Sequence, residues 1–201
     1  MLSNKQRFDV FICYETTTAL DLARNLKESL KRCGIKAFVA NIDIKKGETW
    51  EHSRDEALKE CEHFVAIITN VALVSDEVEK EINYAINANK NVVPCVEDGV
   101  SIELLRMKFP RLLDYQGVIG FKTSEELNRS VTNALIPHYL PKFVSESINV
   151  YNILTDIKEK SNESVELAKS MLKKFREYIG EAKTIEDIFD IYNKIMEELK
   201  R

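Results

Sequence analysis

Residues 8–34 read FDVFICYETTTALDLARNLKESLKRCG. The first seven, FDVFICY, are an apolar, β-branched and aromatic run with no polar alternation after Asp9. That pattern marks a strand covered on both faces, as in a parallel sheet, rather than one with a wet side. The residues after it place Leu20, Ala23, Leu26 and Leu30 at helical spacing and stop at Gly34. A buried strand followed by an amphipathic helix is half of a strand–helix–strand crossover, so the fold class turns on whether the pattern repeats.

It repeats. IKAFVAN (35–41) reads as a second strand, IDIKKGETW (42–50) as a polar loop around Gly47, and EHSRDEALKEC as a helix. HFVAIIT (63–69) is a third buried strand, and SDEVEKEINYAI (75–86) opens a helix that runs to about Lys90. NVVPCVED (91–98) is a fourth strand in which Pro94 signals an irregular or edge position. SIELLRMKFPRLLDYQ holds a short helix, and GVIGFK (117–122) is the fifth strand. Thr123 and Glu126 then form a capping-box pattern for a helix ending near His138. Five alternations predict an α/β fold with a flavodoxin-like five-stranded parallel sheet in the order 2-1-3-4-5. The ligand crevice of that order lies at the C-terminal ends of strands 1 and 3, where the loops are 14–18 and 69–78.

Residues 141–201 differ in kind. They hold no strand-like run, and they carry Val165, Ala168, Leu172, Phe175 and Ile179, then Ile185, Ile188, Tyr192, Ile195 and Leu199, at alternating spacings of three and four. The prediction is a C-terminal all-α extension of about three helices, either a bundle or a self-association module.

Composition removes several function classes. A net charge of -4 gives no electrostatic footprint for nucleic acid. No apolar run approaches the ~20 residues of a membrane span, and the N-terminus lacks a signal peptide's apolar core. Cys13, Cys33, Cys61 and Cys95 are scattered, which predicts reduced buried thiols in a cytoplasmic protein and no zinc site. His52, His63 and His138 are isolated, and neither GxGxxG nor GxxxxGK[ST] occurs.

The acidic helix contains the residue that needs explaining. Ser75 is the expected N-cap, so helix-dipole electrostatics accounts for Asp76 and Glu77. Glu81 lies beyond that reach, at the border of a buried face formed by Val78, Ile82, Ala85, Ile86 and Asn89. On the helical wheel it falls beside Ala85 and Ala88, whose small side chains predict open space next to the carboxylate. Spacing leaves two roles open, a solvated border carboxylate or a ligand contact at the crevice. Trp50 either anchors the helix after it, which its position alone favours, or offers a stacking face. Lys45, Lys46 and Gly47 are a weak phosphate signal, and Thr16, Thr17 and Thr18 either hold an anion or cap a helix. Tyr14, on the loop after strand 1, completes the residues expected around a ligand.

In combination, these pieces resemble a Toll/interleukin receptor (TIR) domain over residues 7–140. FDVFICY is similar to the family's Asp-Val-Phe-Ile-Ser-Tyr strand. Asp43, Gly47 and Trp50 fall on the pattern of its BB loop, and SDEVEKEINYA resembles the acidic helix after its third strand. Enzymatic members cleave the nicotinamide–ribose bond of NAD, and their essential Glu corresponds to Glu81. The resemblance therefore implies NAD+ as substrate, no separate cofactor, and Glu81 as the catalytic residue. Tyr14, Thr16, Lys46, Trp50 and Glu77 are the substrate contacts expected with it. It also implies TIR–TIR self-association and a role in immune or antiviral defence signalling. Many members carry Trp-Cys four and three residues before the Glu; here Glu77 and Val78 stand there, and an aromatic wall is missing. The alternative implied by that departure is a non-enzymatic module that recruits other TIR domains. A response-regulator receiver shares the sheet and would use Lys122, but it needs an Asp at the end of strand 3, where this chain has Thr69-Asn70.

Overall fold

The computed structural model describes residues 8–139. The helical extension expected over 141–201 lies outside them. Strand β1 (Val10–Cys13) leads into helix α1 (Leu20–Arg32), and β2 (Ala37–Phe38) into α2 (Ala40–Asp43) and α3 (Trp50–Glu60). Then come β3 (His63–Ile68), a 3-10 turn (Ala72–Val74), α4 (Asp76–Asn87) and β4 (Asn91–Glu97). The short α5 (Ile102–Lys108), a second 3-10 turn (Pro110–Asp114) and β5 (Val118–Phe121) follow. Residues 124–139 form α6. All strand pairings are parallel, and the order is β2-β1-β3-β4-β5, as the alternation predicts. Every residue of β1 and β3 is buried, which is why neither strand alternates in sequence.

Phe11 stacks between Phe38 and Phe64, at ring-centroid distances of 5.3 and 5.7 Å, tying three strands together on one face. Cys13, two residues along the same strand, shares that face and the apolar cluster that α3 and α4 cover with Ala57, Leu58, Val78 and Ile82. The last residue of β1 is thereby aimed at the seam between α3 and α4.

Three expectations are corrected by particular contacts. The second strand is two residues long rather than seven, because the chain turns into α2 at Ala40. Asp43 holds that turn: its carboxylate accepts from the Val39 backbone at 2.7 Å and from Lys27 Nζ at 2.6 Å, and Lys27 also donates to Ala37 O at 2.8 Å. The polar loop shrinks accordingly. It closes in a turn with Glu48 N donating to Lys45 O at 3.1 Å, and Gly47, at φ +96°, takes the position that requires a left-handed backbone.

Pro94 does not mark an edge, since β4 lies between β3 and β5. Its irregularity is met on the β5 side. Pairing there begins only at Cys95↔Val118 and shifts register at Val96/Glu97. Gly117 passes so close that a Cβ would sit 2.1 Å from Pro94 O. Asn89 does not join the buried face of α4. The helix ends at Asn87, Asn89 adopts φ +53°, and Lys90 N donates to Ala85 O at 3.0 Å while Asn89 N donates to Ile86 O at 3.1 Å. That is a Schellman stop with Asn in the usual glycine position.

The predicted caps form. Val78 N donates to Ser75 Oγ at 3.3 Å, and Glu126 N to Thr123 Oγ1 at 3.1 Å. The Glu126 side chain reaches one residue further back than a standard capping box and accepts from Lys122 N at 2.8 Å.

Candidate functional site

A cleft of about 270 Å³ opens at the C-terminal end of β1, where the sheet order predicts it. Phe11 and Ile12 form its inner wall, and Tyr14 and Thr16 one rim. Asn41 from α2 and Trp50 and Arg54 from α3 form the second side, and Glu77, Val78 and Glu81 from α4 the third. Of the six residues expected from the sequence, Tyr14, Thr16, Trp50, Glu77 and Glu81 are brought together here. Lys46 is exposed and does not line the cleft.

Glu81 is far more enclosed than Glu77, the other α4 carboxylate on this cleft. Its side chain is 12% exposed, against 66% for Glu77. Its surroundings differ from the wheel's expectation: neither Ala85 nor Ala88 lines the cleft. Helical side chains lean toward the N-terminus of their own helix, so Glu81 extends over Glu77 and Val78 instead of over the following turn. There it comes under the influence of the Cys13 thiol and of the Arg54 guanidinium, whose Nε lies 3.7 Å from Glu81 Oε1.

The electrostatics follow from that enclosure. Burial raises the Glu81 carboxyl from 4.5 to about 7. The Cys13 thiol and the Arg54 charge pull it down, while Glu77 and Asp55 push it up again. Cys13 is itself held well above the ordinary thiol value, first by burial and then by the charge of Glu81. It is therefore held as a neutral thiol rather than a nucleophile. Tyr14, also raised by burial, donates from its hydroxyl to Asn41 Oδ1 at 2.7 Å and accepts from Asn41 N at 3.3 Å, which fixes the rim.

Arg54 is shared among three carboxylates, with Nη2 donating to the neighbouring Asp55 Oδ1 at 3.4 Å. Nη1 donates to Glu77 Oε2 at 2.8 Å, whereas the buried Nε has no hydrogen-bond partner although it faces Glu81. A smaller cavity of about 170 Å³ lies on the other side of this pair, with Lys80 and Tyr84 among its walls. Trp50, the first residue of α3, is 40% exposed and stands on the cleft. The choice the sequence left open falls to the rim rather than the core.

The threonine cluster is already occupied by an internal anion. Glu15 accepts from the backbone and hydroxyl of both Thr17 and Thr18 at 2.8–3.1 Å. Desolvation raises the Glu15 carboxyl, but those hydrogen bonds together outweigh it and hold it below its usual value. Glu79, the other acidic residue of the opening helix, is ion-paired with Lys108 and lines neither cavity.

Arg54, Cys13 and Asn41 were not singled out from the sequence. Arg54 had a signal, since it stands four residues after Trp50 and so shares its helix face. Cys13 had one too, standing where the family strand carries Ser. Asn41 had none, because the turn that presents it was read as strand. Among the described residues, no group of three His, Cys, Asp or Glu is placed to hold a metal ion. No helix among them is long and apolar enough to cross a membrane.

Two curated proteins and one solved structure are similar to this chain. The NAD(+) hydrolase SARM1 of Danio rerio is 33% identical over 102 residues, covering 46% of this chain and 14% of that protein. A probable 2' cyclic ADP-D-ribose synthase, BdTIR of Brachypodium distachyon, is 26% identical over 102 residues, covering 50% of this chain and 46% of that one. The chain thus spans less than half the length of these curated relatives. Among solved structures, a metazoan TIR-STING receptor from C. gigas covers 69% of this chain and 46% of its own, with 18% identity and a TM-score of 0.49. The family model described as TIR domain matches residues 10–129, well over half of the chain, and the chain belongs to that family.

Proposed function

We propose that this chain cleaves the nicotinamide–ribose bond of NAD+, with Glu81 as the catalytic carboxylate, giving nicotinamide and either ADP-ribose or a cyclic isomer. The observation that carries the proposal is the enclosed Glu81 carboxylate opening onto a cleft at the end of β1. The named activities of the SARM1 and BdTIR relatives support it. A cleft of about 270 Å³ is near the lower bound for small-molecule sites, and it suits a ring and one sugar better than a whole dinucleotide.

The chemistry needs little more than this carboxylate. Nicotinamide leaves as a neutral molecule because the bonding pair returns to a cationic pyridinium nitrogen, so no general acid is required. The ribose develops oxocarbenium character, and a fixed negative charge beside it in a water-poor site lowers that barrier. Trp50 supplies an aromatic surface on the side opposite the missing family Trp. We assign no further cofactor and no metal to the reaction.

The same reading extends to assembly and setting. Ile42 and Trp50 expose apolar surface on either side of the 43–50 loop, and we assign that surface to TIR–TIR contact. Four free, buried cysteines suit a reducing, cytoplasmic compartment. Immune or antiviral defence signalling is the setting we propose.

Incubating the full chain with NAD+ and resolving the products by chromatography tests the activity. Glu81→Gln is expected to abolish turnover, and Glu79→Gln, which removes a carboxylate paired with Lys108 outside the cleft, to retain it. Wild-type turnover in the Glu81 variant, or equal loss in both, overturns the assignment.

A further inference from the structure

The cleft has an internal cation of its own. Glu15, Glu77 and Glu81 face it against Arg54 alone, so its lining is acidic overall. Arg54 is pulled in three directions, its Nη2 also donating to the neighbouring Asp55 Oδ1 at 3.4 Å. Glu77 holds Nη1 in a direct hydrogen bond at 2.8 Å, which leaves Nε stopped 3.7 Å short of Glu81 and without a partner. A buried guanidinium N–H with no hydrogen-bond acceptor is unfavourable, and so is a buried carboxylate whose ion-pair partner among the described residues stands 3.7 Å away. Both are relieved differently. Arg54 can move onto Glu81, or a second cation can enter the cleft and take up the Glu81 charge.

Resting on the proposed NAD+ reading for the kind of ring involved, we infer that Arg54, restrained by Glu77, is the resident counter-cation of Glu81, and that the cleft selects a positively charged pyridinium over a neutral ring. The face of Trp50 adds to that selection, since an aromatic face stacks on either ring but attracts the cationic one more strongly. Glu77 is then a specificity-determining residue. Standing where many relatives carry Trp, it trades an aromatic wall for a restraint on Arg54. The same preference separates substrate from product, because cleavage leaves the electron pair on the ring nitrogen and the neutral ring loses its attraction.

Trp50 is the chain's single tryptophan and stands on the cleft, so its fluorescence reports occupancy without turnover. The probes are 1-methylnicotinamide, which is cationic, and nicotinamide, which is neutral. Other charged or titratable groups around Glu81 are Cys13 at the end of β1, Tyr14 on the loop after it, Asp55 on α3 and Lys80 on α4. Titrations therefore belong about two pH units above the Glu81 value, where the wild-type carboxylate is ionised, and higher for Arg54→Gln, which loses a charge that lowers that value.

The wild-type full chain is expected to bind the cation about tenfold more tightly than the neutral ring. Glu77→Gln frees Arg54 to close on Glu81 and weakens the cation several-fold, while Arg54→Gln removes the competitor and tightens it. Both changes act much less on nicotinamide than on 1-methylnicotinamide. Equal affinity for the two rings in the wild type overturns the inference, as does a Glu77→Gln effect that is the same on both probes. If the wild type turns NAD+ over yet binds the rings equally, the inference fails and the enzymatic reading stands. Charge-selective binding without turnover gives the reverse result.

Discussion

Replacing Glu81 by Gln should stabilise the protein while it abolishes activity. In the folded state the carboxyl titrates at about 7, against 4.5 when exposed. Between those values the folded chain keeps a proton that the unfolded chain has released, so stability falls as pH rises through that window. Below 4.5 both states are protonated and the group's favourable contribution is fully present; above about 7 it is lost. At ~1.4 kcal/mol per pH unit, the displacement corresponds to about 3 kcal/mol. That is a large share of the ~5–15 kcal/mol by which domains are stable. Gln has no charge to desolvate, so the variant escapes the loss. The Glu81 value near 7 already includes the favourable effects of Cys13 and Arg54 on the carboxylate, so the pH-dependent difference between Glu and Gln stands after they are counted. Urea denaturation of wild type and variant across a pH series isolates the effect, since every other titrating group cancels in the difference. The difference should grow by about 3 kcal/mol in the variant's favour between pH 4.5 and neutrality, and with a slope on the order of 2 kcal/mol per molar the midpoints separate by about 1.5 M. A stability difference that stays constant with pH would refute the buried, proton-holding carboxylate and, with it, the electrostatic basis of the site.

The pH dependence of turnover should mirror this: kcat/KM rises with pH and reaches a plateau above about 7, because only the ionised Glu81 stabilises the cationic transition state; a flat profile from pH 5 to 8 contradicts it. Trp50→Ala should impair NAD+ cleavage and leave thermal unfolding cooperative, with a loss on the order of 1 kcal/mol rather than the ~3–5 of a buried aromatic, since the side chain is 40% exposed; collapse of the cooperative transition would make it a core residue. Gly117→Ala drives a Cβ against Pro94 O and should lower stability by roughly 1–3 kcal/mol by urea denaturation, far from the cleft and without changing KM.

The parts of the fold legible in sequence are those where a residue's environment is set by its neighbours along the chain. β1 and β3 are buried on both faces, so their apolar runs were unambiguous, and the Ser75 and Thr123 caps act within three residues. The end of β2 is not legible locally, because Asp43 and Lys27, sixteen positions apart, decide where it stops. Glu81 could be found from its offset on α4 and the family resemblance, but its environment could not. Cys13, Arg54 and Glu77 reach it from β1, α3 and the preceding turn of its own helix, and only the sheet order brings the first two within range.

That dispersal explains why the Glu77-Val78 departure is less disruptive than it looks in sequence. Taken along α4 alone, an aromatic wall is exchanged for a third acidic residue beside a buried carboxylate, which should raise the Glu81 proton affinity beyond use. Glu77 does push it upward, but the same side chain holds the Arg54 charge, which pulls it down, at the edge of the cleft. The net result near 7 leaves a substantial ionised fraction at neutral pH. Aromatic surface returns through Trp50, placed by the Gly47 turn at the start of α3 and carried on the same helix as Arg54. The functional unit is therefore the α3–α4 pair against the end of β1, and a substitution in one helix is to be judged by what the other presents to it.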